Sequence, residues 1–184
     1  MQAKEITRLS NEEYLQGELE SDVRHEFYDG LVFAMAGAGE KHNTISLNIA
    51  TALRLKSRGT ACRTFMADMK LYIPALNRFY YPDILLTCDP EDNHEYFKQK
   101  PCLIVEVLSP ATENIDRREK LLAYQDIPSV REYLMVSQDE HRMELYRRAG
   151  DHWQYFLLDD EADVLALECI DLKLTMAQVY EDVP

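Results

Sequence analysis

Residues 101–110, PCLIVEVLSP, set a carboxylate into the middle of an apolar strand. Leu103, Ile104, Val105, Val107 and Leu108 read as buried, and Glu106 interrupts them. A carboxylate there is costly unless it is paired, hydrogen-bonded or bound to a cation. Two readings are open: a strand with one solvated or salt-bridged position, or a metal ligand at the end of a central strand.

The surrounding pattern predicts an α/β chain with a mixed central sheet flanked by helices. Ser10 with Glu13 three residues on marks a helix start with a capping box, running to about Leu19. RHEFYDGLVFAMAG reads as two strands turning at Asp29-Gly30. Ile45, Ile49, Ala52, Leu53 and Leu55 recur at helical spacing over residues 40–58, and Gly59 is placed to stop that helix. Then come three strand-like stretches, CRTFMADMKLYI, YYPDILLTC and PCLIVEVLS, with a polar loop at 89–100 between the last two. A helix is expected over about 114–125, followed by strands EYLMVS, RMELYRR, WQYFLL and a segment near 165–172. TMAQVYEDV reads as a short closing helix. At 184 residues, with no repeat or linker, one domain spanning 1–184 is expected.

Composition narrows the function classes. The N-terminal residues lack the apolar stretch of a signal peptide and no run reaches membrane-spanning length, so a cytoplasmic location with no membrane partner is the expectation. The four cysteines, Cys62, Cys88, Cys102 and Cys169, have no close sequence pairing. Three lie in apparent strands, where free cysteine acts as a small hydrophobe, and structural zinc is not expected. A net charge of −13 argues against unaided nucleic-acid binding. Bound divalent metal would offset part of it, and basic residues do cluster at Arg54, Lys56, Arg58 and Arg63 and again at Arg117, Arg118 and Lys120. MAGAGEKHN lacks phosphate-loop spacing and reads as a turn into the long helix. No nucleophile elbow of the serine hydrolases is present. Tyr80 and Tyr81 read as packing residues, and DDEAD at 159–163 as a solvated loop.

Asp83, directly after Pro82 at the head of its strand, supplies a second carboxylate 23 residues before Glu106. Two acids on adjacent apolar strands suit a magnesium ion, which takes one or two carboxylates along with water and phosphate oxygens. Pro82-Asp83, VEVLSPAT at 105–112, DRREKLLAY at 116–124 and VREYLMV at 130–136, with HEFYDG at 25–30 and His42, form an ordered set. In these residues the chain resembles the PD-(D/E)XK nuclease superfamily and, within it, a large restriction-endonuclease-like family long labelled a domain of unknown function. The resemblance spans nearly the whole chain and implies a restriction-endonuclease-like fold.

It also implies roles. Asp83 and Glu106 would hold Mg²⁺ (or Mn²⁺), with the backbone carbonyl of Val107 as a further ligand. The superfamily's lysine usually lies two residues after the second acid, but that position here is Leu108. The resemblance points instead to Lys120, on the following helix, as the catalytic lysine. Without the resemblance, Lys120 reads as an exposed surface lysine. Glu26 and His42 stand as accessory candidates: Glu26 either pairs with a basic residue or sits near the metal, and His42 either assists there or packs at the helix start.

The function expected is a metal-dependent DNA endonuclease in which water attacks the phosphodiester in line. One rival is a catalytically silent protein of the same fold that acts through protein contacts, and another is a nucleic-acid binder without chemistry. A two-strand cut needs two sites, which is compatible with a homodimer, although the sequence shows no interface.

Overall fold

The computed structural model describes residues 8–184, so the first seven residues lie outside the described residues. Helix α1 (Asn11–Glu20) starts as expected. The Ser10 hydroxyl accepts from the Glu13 N–H, and the Glu13 carboxylate accepts from the Ser10 N–H. Strands β1 (His25–Tyr28) and β2 (Leu31–Ala34) pair antiparallel through Asp29 and Gly30, at φ 45° and 93°. Two successive left-handed residues match the right-handed twist of the strands they join. Helix α2 (Glu40–Lys56) follows.

The stretch 62–73, expected as one strand, is two. Strands β3 (Arg63–Met66) and β4 (Lys70–Ile73) belong to different sheets, and Ala67 at φ 31° turns the chain between them. Next come β5 (Arg78–Tyr80) and β6 (Ile84–Thr87). The polar loop at 89–100 contains a further short strand, β7 (Phe97–Lys98), parallel to β4. Buried Asp92 anchors it by accepting from the N–H groups of Gln99 and Lys100.

Strand β8 (Pro101–Leu108) leads into α3 (Glu113–Ile115), a π-helical turn (Asp116–Lys120) and α4 (Leu121–Gln125), which run on without a break. The helix expected at 114–125 is therefore present but widened in its middle. Strands β9 (Glu132–Ser137), β10 (Met143–Ala149) and β11 (His152–Leu158) come next. The segment near 165–172 is a hairpin of β12 (Val164–Leu167) and β13 (Leu172–Thr175), before α5 (Met176–Val179). Among the described residues, no helix is long and apolar enough to cross a membrane.

The main sheet has the order β11-β10-β9-β8-β6-β3, and only β8 and β9 pair in parallel. A second sheet has the order β2-β1-β5-β4-β7, and its Leu71, Ile73 and Tyr80 pack with Leu85, Ile104 and Tyr133 of the main sheet. Alternation along β8 sends Leu103, Val105 and Val107 toward α2, α5 and the β12–β13 hairpin. Ile104 and Leu108 go the other way, against Ala123 and Tyr124 of α4 and Leu71 and Tyr80 of the second sheet. Glu106 shares the parity of Ile104 and Leu108, so it points under α4.

The cysteines depart from the sequence reading. The register Arg63↔Thr87 between β3 and β6 sets Cys62 across from Cys88, and the two form a disulfide. Cys102 and Cys169 are free thiols in the same neighbourhood. Antiparallel pairing joins residues far apart in sequence, so spacing along the chain gave no sign of it.

Candidate active site

β6 and β8 are antiparallel with Ile84↔Val105 in register, which brings the residue before β6 alongside Glu106. Asp83 Oδ2 accepts the Val107 N–H at 2.7 Å, and the Asp83 N–H approaches Glu106 Oε2 at 3.4 Å. These contacts lock the two acids at one end of the sheet. His42, in the first turn of α2, reaches Asp83 Oδ2 with Nε2 at 3.1 Å.

Lys120 arrives from the π-helical turn. Its side chain is only 6% exposed, so the surface-lysine reading does not hold. Nζ donates to Glu106 Oε1 at 3.1 Å, and the Tyr124 hydroxyl donates to the same oxygen at 2.8 Å. Glu26 Oε1 and Asp116 Oδ1 lie 3.1 and 3.2 Å from the ammonium. Neither oxygen receives a directed hydrogen bond, so these two contacts act by charge. A π turn carries one residue more than an α turn, and such turns occur often at functional sites. Here Asp116 and Lys120 face each other across it.

Three carboxylates around one ammonium leave a buried excess of negative charge. Burial pushes the carboxyls of Glu106 and Asp116 up, although the charge of Lys120 opposes it. Burial alone would lower the Lys120 pKa, but Glu106, Glu26 and Asp116 outweigh it and hold the ammonium charged. His42 is drawn down by burial and raised more strongly by its hydrogen bond to Asp83 and the charge of that carboxylate, for a net rise. Its pairing therefore stabilises the fold below the ordinary histidine pKa, and that contribution is lost as pH climbs through the higher folded value. In metal-free protein, an NMR titration of the histidine ring signals is expected to show His42 titrating above the ordinary histidine range. A His42 midpoint below that range would contradict the pairing with Asp83.

A cavity of about 730 Å³ opens over the sheet end, lined by Asp83, Glu106, Lys120 and His42, by the 35–39 turn and by residues 109–112. The proposed site residues thus meet in one place, with two qualifications. Glu26 does not line the cavity and meets the site only through Lys120. Arg117 and Arg118 do not line it either: Arg117 is tied to Glu113 and Glu144 at 2.7 and 2.5 Å. The cavity's charged lining is mostly acidic, with Asp22 and Asp68 beside Asp83 and Glu106, against Arg24 and Lys120. The sequence reading missed Asp116 and Tyr124, although both end residues of DRREKLLAY carry the signal. They stand four residues to either side of Lys120, at helical spacing.

Among the described residues, no three His, Cys, Asp or Glu side chains form a ready metal cage. Magnesium rarely uses one, since it keeps several waters and takes one or two carboxylates. The donor chemistry fits such an ion: hard carboxylate oxygens at a cavity wall, in a cluster with uncompensated negative charge.

The architecture is that of a restriction-endonuclease-like nuclease fold. It superimposes with a TM-score of 0.72 and 14% identity on the crystal structure of a "putative nuclease belonging to DUF820" from Anabaena variabilis ATCC 29413, over 90% of this chain and 96% of that one. The family model described as Uma2, "Putative restriction endonuclease", matches residues 11–177, and the chain belongs to that family. Two relatives come from Synechocystis sp. (strain ATCC 27184 / PCC 6803 / Kazusa). The uncharacterized protein slr1290 is 36% identical over 94% of this chain and 92% of its own length. The uncharacterized protein sll1609 is 33% identical over 78% and 82%.

Proposed function

We propose that the chain is a divalent-metal-dependent DNA endonuclease, with Asp83, Glu106 and the Val107 carbonyl holding Mg²⁺ or Mn²⁺ and Lys120 as its catalytic cation. The observation that carries this reading is the reach of Lys120 from the π turn to Glu106, beside Asp83, although the usual lysine position on the strand is leucine. A bound dication would polarise the phosphate and lower the pKa of an attacking water.

The chain's own groups do the rest. The Val107 N–H fixes the Asp83 carboxylate, and Lys120 with Tyr124 fixes Oε1 of Glu106, leaving Oε2 with one long contact. The Lys120 ammonium sets a positive charge at the cavity wall, where it would stabilise the negative charge that develops on the phosphoryl oxygens. The amino end of α2 has no side-chain cap at Gly39 and adjoins the cavity, which also favours an anion there.

The test is plasmid cleavage with Mg²⁺ or Mn²⁺ against chelator, beside calorimetric titration of the ion. Cleavage and binding are expected together. Because a metal ligand must be deprotonated and burial pushes the Glu106 and Asp116 carboxyls up, ion binding is expected to tighten as pH rises. The acidic cavity lining supports a second reading, a catalytically silent nuclease-fold protein that acts through protein contacts. Absence of both metal heat and cleavage would select it.

A further inference from the structure

All four cysteines of the chain lie in one row at the sheet end opposite Asp83 and Glu106. Cys88 follows β6 and Cys102 is the second residue of β8, and the two acids lie at the far ends of these strands. At about 3.3 Å per residue, the four steps from Cys102 to Glu106 span about 13 Å. Cys62 is bonded to Cys88, Cys88 Sγ lies 3.6 Å from Cys102 Sγ, and Cys102 Sγ lies 2.8 Å from Cys169 Sγ. We propose that this row is a thiol–disulfide exchange site, through which the disulfide moves from Cys62–Cys88 to Cys102–Cys169.

The exchange balances without an external oxidant. The Cys102 thiolate attacks Cys88 Sγ, the Cys88–Cys102 bond forms, and the Cys62–Cys88 bond breaks with Cys62 leaving as a thiolate that takes up a proton. Cys169, losing its proton, then attacks Cys102 Sγ, and Cys88 leaves as a thiolate that is protonated in turn. One disulfide and two thiols are present before and after, and no net electrons enter or leave. Each attack joins sulfurs already adjacent in the row, as thiolate exchange through a mixed disulfide requires.

Three observations point to reactivity rather than a structural staple. The β6–β8 register skips Cys102, pairing Leu86 with Leu103 and Thr87 with Pro101. This bulge turns Cys102 to the same layer as Leu103 and so toward the other cysteines, and bulges commonly re-aim side chains beside active sites. Cys88, Cys102 and Cys169 also line a cavity of about 320 Å³ with Lys100 and Arg131, through which a small thiol can enter. Finally, the hydrogen bond from Cys169 holds the Cys102 thiol below its ordinary range while Cys169 is pushed up, which makes Cys102 the attacking group.

The test uses the whole chain, reduced and then equilibrated in glutathione buffers of graded poise, acid-trapped, alkylated and mapped by mass spectrometry. Each cysteine falls in a different tryptic peptide, so every pairing is distinguishable. Chains with one disulfide are expected to carry Cys62–Cys88 and Cys102–Cys169, with a smaller share of Cys88–Cys102. The pairs Cys62–Cys102, Cys62–Cys169 and Cys88–Cys169 are expected to be absent. Cys169→Ser should lose Cys102–Cys169 and accumulate Cys88–Cys102, and Cys102→Ser should hold Cys62–Cys88 alone. The wild-type map needs no variant to fold. Cys62–Cys88 as the sole pair at every poise would overturn the proposal. So would one zinc per chain by elemental analysis, with all four thiols shielded until chelation.

Discussion

Asp83→Asn protein is expected to fold like the parent and to lose plasmid cleavage in magnesium buffer by at least about 10²–10³-fold, the loss typical when one stabiliser of transition-state charge is removed. Asparagine keeps an oxygen that can accept the Val107 N–H, so the contact that seats the β6–β8 end survives. The change removes the carboxylate charge, and with it the ion pair to His42, while the Val107 contact stays. Asp83→Ala would also strand that partly buried N–H, at a cost of about 1–3 kcal/mol. The check is cleavage rate and magnesium titration beside a melting curve for both variants. An Asp83→Asn enzyme that cuts at the parental rate would remove Asp83 from the metal site.

Lys120→Ala is expected to unfold far more easily than the parent. It leaves Glu106, Glu26 and Asp116 facing one another in a buried cluster without their cation. Breaking a buried pair in this way costs about 3–5 kcal/mol. In a chain of this size that lowers the melting temperature by roughly 10 °C. Arg118→Ala, at an exposed neighbouring position, should stay within about 0.5 kcal/mol of the parent. Below its melting range, the Lys120 variant should still bind magnesium while turning over slowly, because an ammonium is no metal ligand. Unchanged melting would show that the ammonium does not carry the cluster, and unchanged turnover would end its catalytic role.

The sequence made some elements plain because their signals are local. The Ser10–Glu13 capping box, the Asp29-Gly30 turn and the apolar spacing of α2 each depend on residues within a turn or two. Asp83 and Glu106 were legible because carboxylates in apolar strands stand out against a strong background. What stayed hidden depends on pairing between distant residues. Ala67 looks ordinary in sequence, yet its left-handed backbone splits one expected strand between two sheets. The widened turn at 116–120 has no compositional mark, and it buries a lysine that its neighbours Arg117 and Arg118 made look solvated. The cysteine row needed the β3–β6 register, the bulge and the β12–β13 hairpin together, and none of these is written in cysteine spacing.

The bulge at Cys102 also shifts the strand's phase. Cys102 and Glu106 are an even number of residues apart, so in an unbroken strand their side chains would emerge on one side. Instead Cys102 packs with the α2 layer and Glu106 lies under α4. β8 therefore has two reading frames joined at its second residue, and one strand presents a thiol on one side of the sheet and a buried carboxylate on the other. Removing the extra residue would restore a single frame, which a simple odd-even count along any related strand would then describe correctly.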